Sequence, residues 1–238
     1  MKKSGWIMLS VVCILFLIMA VRLNRAAKNR ELLQSIRESD VQAVSDAIHD
    51  GADVNAYDRT FQLFADDKDP KTPLLIACSG GKNAEQIVHQ LLLAGADPNK
   101  ASPGTKETPL LAAAIHGYFS IAHELVNYGA DINAISENAS VLSATLLGQA
   151  EHERINPDTE THHFFCFLLA HGATTNCPAG RTILHYAVFY GDQFAVEYLL
   201  KKTVVDVNQK DSKGKTALDY AKEQNAEVFV DLLSANRE

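Results

Sequence analysis

The chain has 238 residues, 47% of them hydrophobic, and a formal net charge of −7. Six of its 22 Lys and Arg residues precede position 31 and all 29 Asp and Glu residues lie from position 31 onward, so residues 31–238 carry a net −13. A region of that sign repels phosphate backbones, which excludes nucleic acid as a natural partner and favours a protein partner with a basic surface.

Residues 1–30 read as a segment apart. Lys2 and Lys3 precede an apolar run from Gly5 to Val21, and Arg22, Arg25, Lys28 and Arg30 follow it. The run sits at the short end of the length that spans a bilayer and is also the length of a long export signal. A cleavage site would want small residues one and three positions before the cut, but Ala20 is paired with Ile18 and Ala27 with Arg25, so an uncleaved signal anchor is the expectation. The Met-Lys-Lys start resembles a bacterial export signal, which would place the rest of the chain in the periplasm at the inner membrane. The excess of basic residues after the run argues for the cytoplasmic face instead.

From residue 31 onward one pattern returns. A helix opening (Thr72-Pro73-Leu74, Thr108-Pro109-Leu110, Ser140-Val141-Leu142, Thr182-Ile183-Leu184-His185, Thr216-Ala217-Leu218) leads through two short helices to a Gly-Ala-Asp turn and an asparagine. The turns stand at Gly51-Ala52-Asp53, Gly95-Ala96-Asp97 and Gly129-Ala130-Asp131, with weaker forms at Gly172-Ala173-Thr174 and Val205-Asp206. The asparagines are Asn55, Asn99, Asn133, Asn176 and Asn208. In the clearest unit, Thr108 should cap a helix with Pro109 at its first position. Ile121, Ala122, Leu125 and Val126 mark an amphipathic second helix, and Gly129 should end it in the left-handed conformation.

This period resembles the ankyrin-repeat family, about 33 residues per unit. The resemblance implies an all-α solenoid of about six helix-turn-helix repeats (roughly 31–55, 72–99, 108–133, 140–176, 182–208 and 216–236), and the signal-anchor helix read from residues 1–30 precedes it. The first and last units are expected to act as caps, since each has one face toward water. The family's opening histidine survives only at His185, where the resemblance implies a hydrogen bond to the neighbouring repeat; Leu75, Leu111, Ser143 and Asp219 replace it elsewhere.

Two units carry insertions. One, from Thr60 to Pro70, puts Phe61, Phe64, Asp66 and Asp67 in a hairpin tip, where the phenylalanines either fold back on the first repeat or offer an apolar contact to a partner. The other, from Gly148 to His163, extends the turn of the fourth unit and holds Glu151, His152, Glu153, Asp158, Glu160, His162 and His163. Asn156-Pro157 favours a turn there, which separates the histidines and speaks for a solvated loop over a metal site. Cys78 and Cys166 fall in helices as small hydrophobes, and Cys166 with Cys177 is the one pairing a disulfide could use.

Without a phosphate loop, nucleophile elbow or metal constellation, neither an enzyme with a small-molecule substrate nor a cofactor is expected. The family resemblance implies recognition of a protein through the concave side, built from hairpin tips and first helices. Residues just before the central glycine should be exposed there: Ile115 and His116, then Phe189 and Tyr190, with Arg181 in the preceding turn. Phe189 has a second reading as core beside the irregular fourth unit. The functional expectation is a membrane-anchored binding module, with an immunity-like inhibitor of a toxin or effector as its sharper form and a periplasmic structural or oxidative-stress factor as the alternative.

Overall fold

A computed structural model describes the backbone of residues 2–58, 69–152, 160–202 and 205–236, with the side-chain surroundings of 2–11, 149–152 and 160–161 left aside. The described residues form helices and no strand; two isolated bridges, Ile135 with Ser140 and Asn176 with Thr182, close hairpins. They divide into two units.

The first unit comprises residues 1–77 and 81–97. Helix α1 (Lys2–Glu38) crosses positions 30 and 31 without a break, and only its last part packs: Leu32, Leu33, Ser35 and Ile36 are buried against α2 (Val41–His49). Asp40 caps α2, its carboxylate accepting the Gln42 and Ala43 N–H groups. Next come α3 (Pro73–Cys78), whose Thr72 cap accepts the Leu75 N–H, and α4 (Ala84–Leu93), which packs on α2 and buries Ile87, Val88, Leu91 and Leu92.

Toward its start α1 has no packing partner among the described residues. Val12, Ile14, Leu15, Phe16, Leu17, Ile18, Met19, Val21 and Leu23 are all exposed, Phe16 to 70%. No helix among the described residues is long and apolar enough to cross a membrane; the expected span from Gly5 to Val21 begins among residues whose side chains are left aside.

The second unit comprises residues 78–80 and 98–238. Its helices are α5 (Pro109–Ile115), α6 (Phe119–Asn127), α7 (Val141–His152), α8 (Glu160–Ala170), α9 (Ile183–Tyr190), α10 (Gln193–Lys202), α11 (Ala217–Glu223) and α12 (Glu227–Ala235). They form two layers. First helices α5, α7, α9 and α11 stack in order, second helices α6, α8, α10 and α12 stack in order, and each first helix pairs with its second. Small residues let the first layer close up: Ala112, Ala113 and Ala114 of α5 are fully buried.

Gly148 carries this further. It lies within α7, and a Cβ there would meet the Ala114 carbonyl oxygen of α5 at 2.2 Å. The residue that opens the expected loop insertion is therefore a packed helical position. Helix α7 continues to His152 and α8 begins at Glu160, so part of the insertion lengthens helices instead of the turn; the helix formers in VLSATLLGQAEH outweigh one glycine. Glu153 and Asp158 lie outside the described residues.

The turns connect repeats within each unit. Asp131 accepts the Asn133 N–H at 2.9 Å, fixing its own turn. Asn99 then reaches one repeat on: its amide donates to the Gly129 carbonyl at 2.9 Å and its carbonyl accepts the Asp131 N–H at 2.7 Å. Asn55 makes the same pair to Gly95 and Asp97, and Asn133 to Gly172 and Thr174. Gly129 has φ +87°, as the end of α6 requires.

Two substitutions test this architecture by thermal and denaturant unfolding. Gly148→Ala should destabilise by about 1–3 kcal/mol through overpacking, although helix propensity alone predicts stabilisation by up to about 1 kcal/mol; the sign decides. Leu125→Ala, at a fully buried position of α6, should cost about 2–5 kcal/mol.

Candidate partner-binding groove

A cavity of about 520 Å³ opens along the second unit. Its walls come from three consecutive repeats: Thr105, Glu107 and Ile115 from the third, Ser136, Asn138, Ser143 and Leu147 from the fourth, Arg181, Tyr186 and Tyr190 from the fifth. The lining alternates between hairpin tips and first helices, the surface on which the expected contact residues were placed.

Local sequence explains each wall. Thr108 accepts the Leu111 N–H at 3.3 Å with Pro109 behind it, which starts α5 and sets Ile115 at its end. Ser140 and Ser143 cap α7 reciprocally: the Ser140 N–H donates to Ser143 Oγ at 3.0 Å and the Ser143 N–H to Ser140 Oγ at 3.3 Å. Ser143 stands where the family's histidine would be and does the same capping with a shorter side chain. Tyr186 and Tyr190, four residues apart on α9, stack at 6.3 Å and face the groove together.

Arg181 is the cation of this wall. Its guanidinium lies 5.4 Å from the Tyr186 ring and 5.9 Å from the Tyr220 ring, and its Nε is 3.8 Å from Asp211 Oδ2. Burial works against its charge, but the neighbouring Tyr186 and Tyr220 outweigh that and raise its pKa above the usual value. Asp211 itself is buried and engaged: Oδ1 accepts the Lys213 and Lys215 N–H groups, and Oδ2 accepts the Tyr220 hydroxyl at 2.7 Å. Burial would raise its pKa; the Tyr220 hydroxyl and the two backbone N–H groups win and lower it.

Behind this wall sits His185. The Thr182 backbone N–H donates to its Nδ1 at 3.0 Å, so Nε2 carries the proton and donates to the Lys215 carbonyl of the next repeat at 3.1 Å. Neighbour bridging at His185 therefore holds. Burial lowers its pKa, and a proton on Nδ1 would confront the Thr182 N–H.

The groove unites Ile115, Arg181 and Tyr190 from the expected contact set. His116 is exposed at the end of α5, 6.3 Å from the Tyr118 ring, and does not line it. Phe189 is 52% exposed, its ring edge-on to Tyr190 at 5.2 Å, which rules out the core reading. Phe61, Phe64, Asp66 and Asp67 lie outside the described residues. Sequence reading missed Tyr186, although its four-residue spacing from Tyr190 was available. It also missed Tyr220 and Asp211, which reach Arg181 from the sixth repeat.

Elsewhere chemistry is quiet. Cys78, Cys166 and Cys177 are free thiols, so the Cys166–Cys177 pairing is absent. Burial raises the pKa of each, keeping them protonated near neutrality. His162 stacks on Phe194 at 4.1 Å and lies 3.6 Å from Asp192. Among the described residues no group of three or more His, Cys, Asp or Glu side chains could hold a metal.

The family model described as ankyrin repeats, three copies, matches residues 17–136 and 158–238. The chain belongs to the ankyrin-repeat family. It is similar, at 29% identity over 164 residues, to the ankyrin repeat and KH domain-containing protein mask-1 of Caenorhabditis elegans; the match covers 68% of this chain but only 6% of that protein's length. Among solved structures it is similar to a chain in the complex of the Bd0816 predatory endopeptidase of Bdellovibrio bacteriovorus with immunity protein Bd3460. There the identity is 26% and the TM-score 0.67, over 86% of this chain and 97% of the other.

His185 gives a pH test. Its lowered folded pKa means that its contribution to stability is present above the unfolded value of 6.5 and is lost as pH falls from there toward the folded value. Melting temperature followed from pH 7.5 to 5 should drop more steeply in the parent than in His185→Gln, and the variant should be less stable at pH 7.5 by about 1–3 kcal/mol.

Proposed function

We propose that the chain is an immunity-type inhibitor: an ankyrin module, anchored in the inner membrane and facing the periplasm, that holds a toxic enzyme or effector through the groove of its second unit. The observation that carries the reading is the likeness to a chain of the endopeptidase–immunity protein complex over 97% of that chain, at a TM-score of 0.67. Correspondence over nearly the whole neighbouring chain fits a shared mode of use better than a repeat borrowed into a larger assembly.

The groove supports it from below. Three repeats contribute to one open surface, where Tyr186, Tyr190 and Arg181 are of the residue types in which interface energy concentrates and Ile115 and Leu147 add apolar area around them. The net charge of −13 in residues 31–238 would steer a basic partner surface toward it. The anchor is supported by the exposed apolar side chains from Val12 to Leu23, and the periplasmic side by the Met-Lys-Lys start, which resembles an export signal.

Full chain extracted from native membranes should retain one stoichiometric protein partner and suppress that partner's activity. Phe189→Ala with Tyr190→Ala should weaken the complex by about 2 kcal/mol or more at unchanged melting temperature. Affinity that survives the double substitution would move the interface off this groove, and a partner whose activity is unaffected when bound would remove the inhibitor reading. Alkaline extraction should leave the chain in the membrane pellet, with the repeats cut by protease in spheroplasts but not in intact cells.

A further inference from the structure

The groove holds its cation in a domain of net negative charge, and the way that cation is held points beyond general protein binding. Asp211 sits 3.8 Å from Arg181 Nε, too far for a hydrogen bond, while its own oxygens are taken by Lys213, Lys215 and Tyr220. It therefore offsets the charge of the guanidinium without occupying its fork. The rings of Tyr186 and Tyr220 flank the group at 5.4 and 5.9 Å. The side chain remains 29% exposed and lines the cavity. A guanidinium presents five N–H donors in a rigid array that matches a carboxylate bidentately.

We propose that this groove receives an acidic side chain carried on an extended loop of the protein partner, with Arg181 as its anchor. The proposal rests on the reading of the chain as a partner-binding module and names the chemistry of what it grips. A peptide fits better than a free carboxylate because the exposed Asn138 amide in the same wall can both donate to and accept from a peptide backbone, which a bare anion lacks. Ile115 and Leu147, both half-buried, give apolar area for the residues flanking the acid. The negative field of the domain turns away acidic proteins as a whole, so the acid arrives as an isolated element on a neutral or basic surface.

The test uses full chain in detergent micelles with three probes: the capped peptide Gly-Leu-Glu-Leu-Gly, its Gln counterpart, and sodium acetate. The Arg181 Nε–H resonance should shift saturably with the Glu peptide, the Gln peptide should bind at least tenfold more weakly, and acetate at equal concentration should leave the resonance in place. Arg181→Gln should abolish the preference for Glu. Tyr186→Leu, which removes the ring beside the guanidinium, should reduce it several-fold in a folded protein. Equal binding of the Glu and Gln peptides, a Glu preference that survives Arg181→Gln, or an acetate shift as large as that of the peptide would each overturn the proposal. Failure of the inhibitor reading has a different signature: the native partner would be held without loss of its activity, whatever the peptides do.

Discussion

Everything in this fold depends on how a short helix pair, which cannot bury its own apolar face, is locked to the next. The asparagine at the end of each Gly-Ala-Asp turn makes the lock. Its amide satisfies the glycine carbonyl left over at the end of the next second helix, and its carbonyl satisfies an N–H in the following turn, as Asn99 does with Gly129 and Asp131. A primary amide alone among side chains offers donor and acceptor at this spacing. Each such bond contributes only about 1 kcal/mol, but it also sets the register in which alanine-faced first helices meet. Glycine is required at the carbonyl position because φ +87° carries the chain out of the helix toward the next turn.

That lock leaves the helix openings free to vary, and here they do. Thr182 with His185, Ser140 with Ser143 and Thr216 with Asp219 all make reciprocal caps, with an imidazole, a hydroxyl and a carboxylate in the same role. Only the imidazole is long enough to cap and still reach the Lys215 carbonyl one repeat away. The loss of the histidine elsewhere therefore removes a bridge between repeats without removing the cap, and the asparagines are left to hold the stack there.

These differences explain what could be read from the sequence. Turn glycines, aspartates and asparagines were legible because backbone geometry dictates the residue type at a fixed period, and Leu125, Thr108 and Gly129 fell where that period put them. Asn29 was not: its carbonyl accepts the Asp53 N–H at 2.8 Å, the bond that Asn55 and Asn99 make, but no Gly-Ala-Asp precedes it. The groove was legible only in outline. Exposure of Phe189 follows from its place before a glycine, with Tyr190 beside it half-buried, whereas the clasp of Tyr186, Tyr220 and Asp211 around Arg181 joins side chains from two repeats, and no local pattern announces it.

The start of the chain shows the same physics put to another use. Besides Asn29, Arg25 pairs with Asp53 at 2.8 Å and Lys28 donates to the Asp50 carbonyl, so three side chains of α1 converge on the first Gly-Ala-Asp turn. The exposed ion pair adds little energy by itself. What the contacts supply is direction: α1 is docked to the first turn by groups on one face while its helix continues, uninterrupted, into the exposed apolar stretch. A helix of 37 residues is about 55 Å long. Without a glycine or proline hinge between Val21 and Leu32, whatever surface receives the apolar end is coupled to the first repeat through a rod instead of a tether. The basic residues after the apolar run, which at first sight serve only to flank it, thus also complete the first repeat, and their charge cannot be assigned to topology alone.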